Sequence, residues 1–290
     1  MTLNTNISSM NANAALTNVG NSMYSSIEKL STGLRINKAA DDPSGLAIAD
    51  KLRTQISSTK QSLQNANLSI SLLQIADRAM AEQSNILDIV KQKLIQGSTS
   101  STSDEGRKII SSAIGALLNQ FDEIAIQTRF QDKYLLQKNE TDTDKTDKIV
   151  FVLGEFAHNT AEARDGIQAN TQGIAKDGTL TLATLKTSSL SENGISIDDM
   201  KEYIDIMDTA LDELNTFRSD YGAVQQQVES TARNLLSQQT SMSNAESAIR
   251  DVDYAQESSS FRQSAIMYEA GSFALTQANL AKDYILKMLT

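Results

Sequence analysis

Side chains that could do chemistry are few in this sequence and poorly placed for it. The one histidine, His158, stands in the run Glu155-Phe156-Ala157-His158-Asn159-Thr160-Ala161-Glu162. Zinc-dependent hydrolysis on a helix needs two histidines one turn apart with a glutamate beside them. A single histidine excludes that chemistry and reads as a surface residue. The absence of cysteine removes Cys/His metal clusters and, in any redox compartment, disulfides. Two acid pairs, Asp41–Asp42 and Asp198–Asp199, have the residue types for general acid–base work. Each also stands where a helix should begin, before Pro43 and after Ser196, and a carboxylate there answers the free N–H groups and the positive helix end. Capping is the simpler reading. The methionines fall at helical seam positions and read as core filler rather than a cofactor box. The expectation is a protein with no catalytic, cofactor-binding or metal-binding residues.

Composition says what kind of scaffold remains. The 290 residues could make one large or two to three small domains, and only 13 glycines and one proline interrupt them, which favours long helices. Aromatic residues are 5 % and tryptophan is absent, so rows of Leu, Ile, Val, Met and Ala must form the core. A net charge of −10 with no basic stripe argues against nucleic acid as a partner. The first 22 residues hold no Lys or Arg and no apolar block, so a cleavable signal is not expected. No run approaches 18 consecutive apolar residues, and membrane insertion is not expected either.

The longest periodic segment begins at Pro43. A spacing of three and four runs through Ala49, Leu52, Ile56, Thr59, Leu63, Ala66, Ile70, Leu73, Asp77, Met80, Ser84, Leu87, Lys91 and Leu94, and ten of these fourteen positions are apolar. A helix over 43–96 would be about 80 Å long. The polar run Gly97–Ser103 ends it. A second helix starts near Asp104 with the stripe Ile110, Ala113, Leu117, Phe121 and Ile124, folding back antiparallel. A third runs from about Asp198 to Val252 through Met200, Ile204, Met207, Leu211, Leu214, Tyr221, Val228, Ala232, Leu235, Met242 and Ile249, with Arg218, Gln225, Gln239 and Glu246 as polar exceptions. Gly222 and Gly271 inside helices suggest close backbone packing.

Between residues 139 and 197 the helical period is lost. Lys148–Leu153 is β-rich, and Asp177-Gly178 before alternating Thr179-Leu180-Thr181-Leu182 is a hairpin signal. Asn193-Gly194 is another turn, and the acidic, Thr-rich stretch Glu140–Asp147 reads as a solvated loop.

The two ends carry matching stripes. Leu16, Val19, Met23, Ile27 and Leu30 lie on one helical face, with Leu3, Ile7 and Met10 ahead of them. Met267, Ala270, Ala274, Ala278, Ala281, Ile285 and Met288 form the other, with Leu275 beside them. Neither stripe is long or apolar enough to hold a helix alone in water, so both must be buried against something. These sixteen residues form the self-assembly set. The expected fold is mainly α: an elongated antiparallel helical bundle or coiled coil, with paired N- and C-terminal helices and a small β element in the middle of the chain. Residues 1–42 with 251–290 would form the terminal coiled-coil domain, 43–138 with 198–250 a helical rod, and 139–197 the β/loop element.

The polar residues between these apolar positions carry a resemblance. The run Lys29-Leu30-Ser31-Thr32-Gly33-Leu34-Arg35-Ile36-Asn37-Lys38-Ala39-Ala40-Asp41-Asp42-Pro43-Ser44-Gly45-Leu46-Ala47-Ile48-Ala49 closely resembles the amino-terminal signature of bacterial flagellins. Leu3-Asn4-Thr5-Asn6, Ile249–Ala255 and Gln277-Ala278-Asn279-Leu280 are similar to the same family, and the likeness covers roughly 1–138 and 198–290. Its short middle looks like that of flagellins from epsilon-class bacteria. The resemblance implies a structural subunit of the bacterial flagellar filament for swimming motility, secreted unfolded through the flagellar export apparatus with an export chaperone. It implies a helical homopolymer whose inner layer is made by the termini, meeting hook–filament junction proteins and a filament cap. Asp42-Pro43-Ser44 is also similar to hook–filament junction proteins of the same superfamily, the alternative, whereas Gly45–Ala49 and Gln277–Leu280 look like the filament subunit.

Two surface expectations follow from the resemblance. In many flagellins the stretch matching Asp88, Ile89, Lys91, Gln92 and Leu94 is read by Toll-like receptor 5, with an arginine where this chain has Ile89. Weakened receptor recognition is one implication; the plainer reading packs Ile89, Leu94 and Ile95 between neighbouring subunits. Many flagellins also carry O-linked sugars, which makes Thr184, Thr187, Ser188, Ser189 and Ser191 candidate acceptors on a solvent-facing loop, with unmodified hydroxyls the equal alternative.

Overall fold

The computed structural model describes residues 6–131, 133–136, 150–152, 160–162, 181–191 and 195–289, and contains six helices among them. It divides into two compact units, Met1–Ser57 with Gln239–Thr290, and Ser58–Gln238. In chain order the elements are α1 (Ile7–Thr32), α2 (Pro43–Gly97), α3 (Asp104–Gln127), β1 (Arg129–Phe130), β2 (Lys133–Tyr134), β3 (Val150–Val152), β4 (Thr160–Glu162), α4 (Leu182–Ser189), α5 (Ile197–Arg250) and α6 (Tyr254–Leu289). The mainly α expectation holds, with paired terminal helices and a minor β component.

Helix ends follow the side chains that cap them. Asp42 Oδ1 accepts from the Ser44 and Gly45 amides at 3.1 and 2.9 Å, so α2 begins at Pro43, whose missing N–H costs nothing there. After Gly97 the polar run serves the helix it ends: Ser98 Oγ donates to Ile95 O, and the Thr99 and Thr102 hydroxyls donate to Gln96 O. Ser103 caps α3 by accepting from the Gly106 amide, and Ser196 Oγ accepts from the Asp199 amide at the start of α5. Both acid pairs singled out in the sequence thus stand at helix starts.

Within Ser58–Gln238, helices α2, α3, α4 and α5 share one hydrophobic core. The heptad series Ala66, Leu73, Met80, Leu87 and Leu94 is fully buried, as the sequence period requires. Its companion column differs from the expected one. Ser69, Ala76, Gln83 and Val90 are buried, while Ile70, Asp77, Ser84 and Lys91 are half-buried. On α5 the same shift puts Tyr203, Ala210 and Phe217 inside and leaves Ile204, Leu211 and Arg218 at the edge. The cause is a third helix. Gln83 Nε2 donates to Phe121 O on α3 at 3.1 Å, so one edge of α2 turns towards α3. The opposite edge faces α5, where Arg218 Nε meets Asp77 Oδ1 at 3.0 Å and Lys91 pairs with Asp208. Three of the polar exceptions, Asp77, Lys91 and Arg218, are therefore in rim ion pairs between antiparallel helices, whereas Gln225 donates to Glu229 on its own helix.

Helix α3 differs from expectation in the same way. Its buried face is Ile110, Ile114, Leu118, Phe121 and Ala125, not the Ala113, Leu117 and Ile124 stripe, because it is packed on a second side by α4. It is also the one helix among the described residues long and apolar enough to cross a membrane, and that apolar face lies in the core.

The expected strand at Thr181–Leu182 is corrected. Thr181 instead caps α4 in a reciprocal box with Thr184, its amide donating to Thr184 Oγ1 and its Oγ1 accepting from the Thr184 amide. Local hydroxyl bonding plus burial of Leu182 and Leu185 outweighs the alternating pattern. The remainder of that signal, residues 177–180, lies outside the described residues, as do Asn193-Gly194, Glu140–Asp147 and His158. The β-rich run holds, with Val150–Val152 pairing antiparallel to Thr160–Glu162. A second ribbon, Arg129–Phe130 with Lys133–Tyr134, was not foreseen.

Helix α4 is held by an ion pair with little water around it. Lys186 Nζ reaches Asp122 Oδ2 on α3 at 2.5 Å, with 4 % of the Asp122 side chain exposed. Lys186→Ala should cost about 3–5 kcal/mol, the range for removing one partner of a buried pair, read as a lower urea midpoint. The close-packing expectation fails at Gly222: an added Cβ meets nothing within 4 Å. Gly222→Ala should therefore stabilise the soluble chain by about 0.5–1 kcal/mol, measured as a higher melting temperature.

Candidate assembly surface

The unit formed by 1–57 and 239–290 is built on the pairing of α1 with α6. Asn6 begins it, its Oδ1 accepting from the Ser9 amide and its Nδ2 donating to Ala278 O at 3.1 Å, so one side chain caps α1 and ties it to α6. Close approach follows where side chains are small. A Cβ on Gly271 would lie 3.0 Å from Leu16 Cδ1, and one on Gly20 would touch the Tyr268 ring at 3.5 Å. For Gly271 the close-packing reading holds.

This pairing uses one face of α6 and leaves another open. Ser264 is buried, and Phe261, Gly271, Leu275 and Ala278 are half-buried. Of the stripe read from the sequence, Met267, Ala270, Ala274 and Ala281 are exposed, and only Ala278 and neighbouring Leu275 are half-covered. The sequence stripe is thus mostly outward, and α1 meets a neighbouring face of α6. Ile266 (68 % exposed), Phe273 (74 %) and Leu280 (44 %) widen that face, and sequence reasoning missed them. On α1, Leu16, Val19, Met23 and Leu30 are half-buried, whereas Ile7, Met10 and Ile27 are exposed beside Tyr24 (69 %). Leu3 and the side chains of Ile285 and Met288 lie outside the described residues. One signal could have revealed the double face: no charged residue occurs before Glu28 or between Ala270 and Ala281. A helix apolar on two sides with no charge on either is built to be buried on both.

The connectors at the base of the pair are bonded to each other. Leu34 and Asp251 form an antiparallel bridge; Arg35 N donates to Arg250 O at 2.6 Å, Val252 N to Gly33 O at 3.0 Å, and Arg35 Nη2 to Ile249 O at 2.6 Å. Gly33 closes α1 at φ 73°, a left-handed angle that favours glycine. Gly45 is constrained by space instead, since a Cβ there would press on Asp42 Oδ2 and lie 2.8 Å from Ile36 Cδ1. Asp41 Oδ2 accepts from the amides of Lys38 and Asn37, which hold its carboxyl below the ordinary value. The Gly45 amide and the Ser44 hydroxyl do the same for Asp42. The pair Glu28–Lys38 at 2.7 Å raises the lysine.

The two surface expectations, both in Ser58–Gln238, are partly corrected. Asp88, Ile89 and Gln92 face outward, Lys91 is tied to Asp208, and Leu94 is fully buried in its own core, so Leu94 does not pack between subunits. Four of the candidate acceptors, Thr184, Thr187, Ser188 and Ser189, are helical rather than in a loop, because α4 packs on α3, and Ser191 lies just beyond the helix. Ser189 is 3 % exposed, with Oγ donating to Lys186 O, and Thr184 is engaged in its capping box. Thr187 and Ser191 are exposed, and Ser188 is half-buried.

A helical protein whose ends pair with each other and still present exposed apolar faces has the makings of a polymer subunit, and known proteins agree. The model of the bacterial flagellin N-terminal helical region matches residues 3–141, and that of the C-terminal helical region matches 204–289. The chain is 32 % identical to a flagellin of Bacillus subtilis and 31 % identical to the flagellar filament 33 kDa core protein of Treponema phagedenis, in both cases over the whole of each chain. The crystal structure of Bacillus cereus flagellin overlays with a TM-score of 0.48 at 21 % identity, covering 63 % of this chain and 94 % of that one. The chain belongs to the bacterial flagellin family and is a structural subunit of the flagellar filament.

Because Asp41 and Asp42 titrate below 3.8 in the folded chain, the stabilisation they give is complete above that pH and is lost as pH falls through their folded-state values. Amide NMR signals of Asn37, Lys38, Ser44 and Gly45 should shift with midpoints below 3.8. Midpoints at or above that value would contradict the hydrogen bonding described.

Proposed function

We propose that the subunits join through the outward faces of α1 and α6, so that the paired termini form the inner layer of the filament. The observation that carries this reading is the exposed apolar surface of α6, with Ile266 and Phe273 more than two-thirds exposed on a single chain and no charged residue between Ala270 and Ala281. A helix of that character is marginal in water and gains from association roughly 25 cal/mol for each Å² of apolar surface covered. The unit formed by Ser58–Gln238 carries most of the charge. Its Lys and Arg number 17 and its Asp and Glu 26, giving −9 of the total −10.

The same reading makes the chain a secreted protein, passed unfolded through the flagellar export apparatus with a chaperone shielding its apolar ends until a neighbour covers them. Hook–filament junction proteins and the cap would meet it at the two ends of the filament. Ile89 in place of arginine on the outward face of α2 supports weakened contact with Toll-like receptor 5. Thr187 and Ser191 are the acceptors best placed for sugars.

Phe273→Asp tests the assembly face directly. The side chain is 74 % exposed in the single chain, so monomer stability should change by less than about 0.5 kcal/mol. Polymerisation on filament seeds should be lost, because every copy would bury an unpaired charge. Normal tubes by negative-stain microscopy would contradict the reading.

A further inference from the structure

We propose that Met10 and Met267 are modification sites at which hydrogen peroxide blocks polymerisation, by oxidising each thioether to its sulfoxide in the subunit before assembly. This rests on the reading that the outward faces of α1 and α6 are covered by other copies.

Two observations carry it. The chain has nine methionines, no cysteine and no tryptophan, so thioethers are its readiest two-electron reductants. Among the seven whose side chains are described, exposure is sharply divided by location. Met80, Met200 and Met207 are fully buried in the core of Ser58–Gln238. Met23 and Met242 are half-buried, whereas Met10 is 63 % and Met267 45 % exposed. Both exposed sulfurs lie on the apolar faces just described, Met10 beyond Ile7 on α1 and Met267 between Ile266 and Phe273 on α6.

The step balances with peroxide as the only co-reactant. A sulfur lone pair attacks one peroxide oxygen, the O–O bond breaks and an S–O bond forms. Sulfur loses two electrons, and the second oxygen leaves as water after taking up a proton. A flexible apolar side chain becomes a polar one with a strong acceptor oxygen. In a free subunit that oxygen is solvated and the fold is undisturbed. In an assembled face it must be dehydrated against apolar neighbours, and every copy repeats the cost. Methionine sulfoxide reductases reverse the change, so the block is a switch rather than a lesion.

The test treats full-length free subunits and preformed filaments with the same dose of hydrogen peroxide. Peptide mass spectrometry then locates the added oxygen, and seeded growth is followed by light scattering. In free subunits Met10 and Met267 should oxidise at least about tenfold faster than Met80, Met200 and Met207. Oxidised subunits should need an about tenfold or higher concentration to grow, with growth restored by methionine sulfoxide reductase. A Met10→Leu/Met267→Leu chain, close in volume and shape, should grow equally well with and without peroxide. Oxidised wild-type subunits that grow like untreated ones would overturn the switch while leaving the assembly face intact. So would a double-leucine chain that peroxide still blocks. Filaments in which Met10 and Met267 oxidise as fast as in free subunits would overturn the burial of these faces and the switch together.

Discussion

The pairing of α1 with α6 is a contact that satisfies each helix on one side only. Helix α1 is rich in Asn, Ser and Thr, so tertiary contact has to hold it, and α6 supplies that contact. Asn6 and the two glycines at the crossing bring them close, and the remaining apolar surface stays outside. Everything distinctive about the molecule follows from this incomplete burial. A chain whose ends fold against each other, yet not fully, is stable enough to be a subunit and unsatisfied enough to need neighbours.

The second unit solves the opposite problem. Three long helices turn one face each into a shared core, leaving Ile75, Ile89 and Ile109 among the apolar residues outside it, and the ion pairs between α2 and α5 are placed at its edges. Asp77 with Arg218, and Lys91 with Asp208, sit where one side of each side chain still meets water, so little desolvation is incurred. Tyr221 lies deeper, with burial raising its hydroxyl pKa and Leu135 O accepting its proton. This core is completed without the termini.

The connectors show how a short polar sequence can be as specific as a core. Residues 33–42 and 251–253 bond to each other through the backbone, and Asp41, Asp42 and Asp253 each accept from amides that the turns would otherwise leave without a partner. Few substitutions fit, since Gly33 needs a left-handed angle and Gly45 has no room for a Cβ. These polar positions, rather than the period, are what distinguish this chain from other helical proteins.

The sequence by itself determined the helices and most of their ends. Period, capping residues and breakers are local, and Asp42-Pro43, Ser103 and Ser196 act within one turn. It also determined the heptad column Ala66 to Leu94, because a residue repeating every seven positions stays on one side of a helix whatever the partner. Tertiary structure decided which neighbouring column joins it. Gln83 and Val90 are inside rather than Ser84 and Lys91 because α3 stands on that side, and no local rule says where a third helix will stand. The same holds for Thr181, read as strand and found capping α4, whose place depends on Asp122 some sixty residues away. On α6 the apolar positions around the helix were legible, but which of them meet α1 was fixed by the close approaches at Gly20 and Gly271. Periodicity reports that a face must be buried; only the packed chain shows against what.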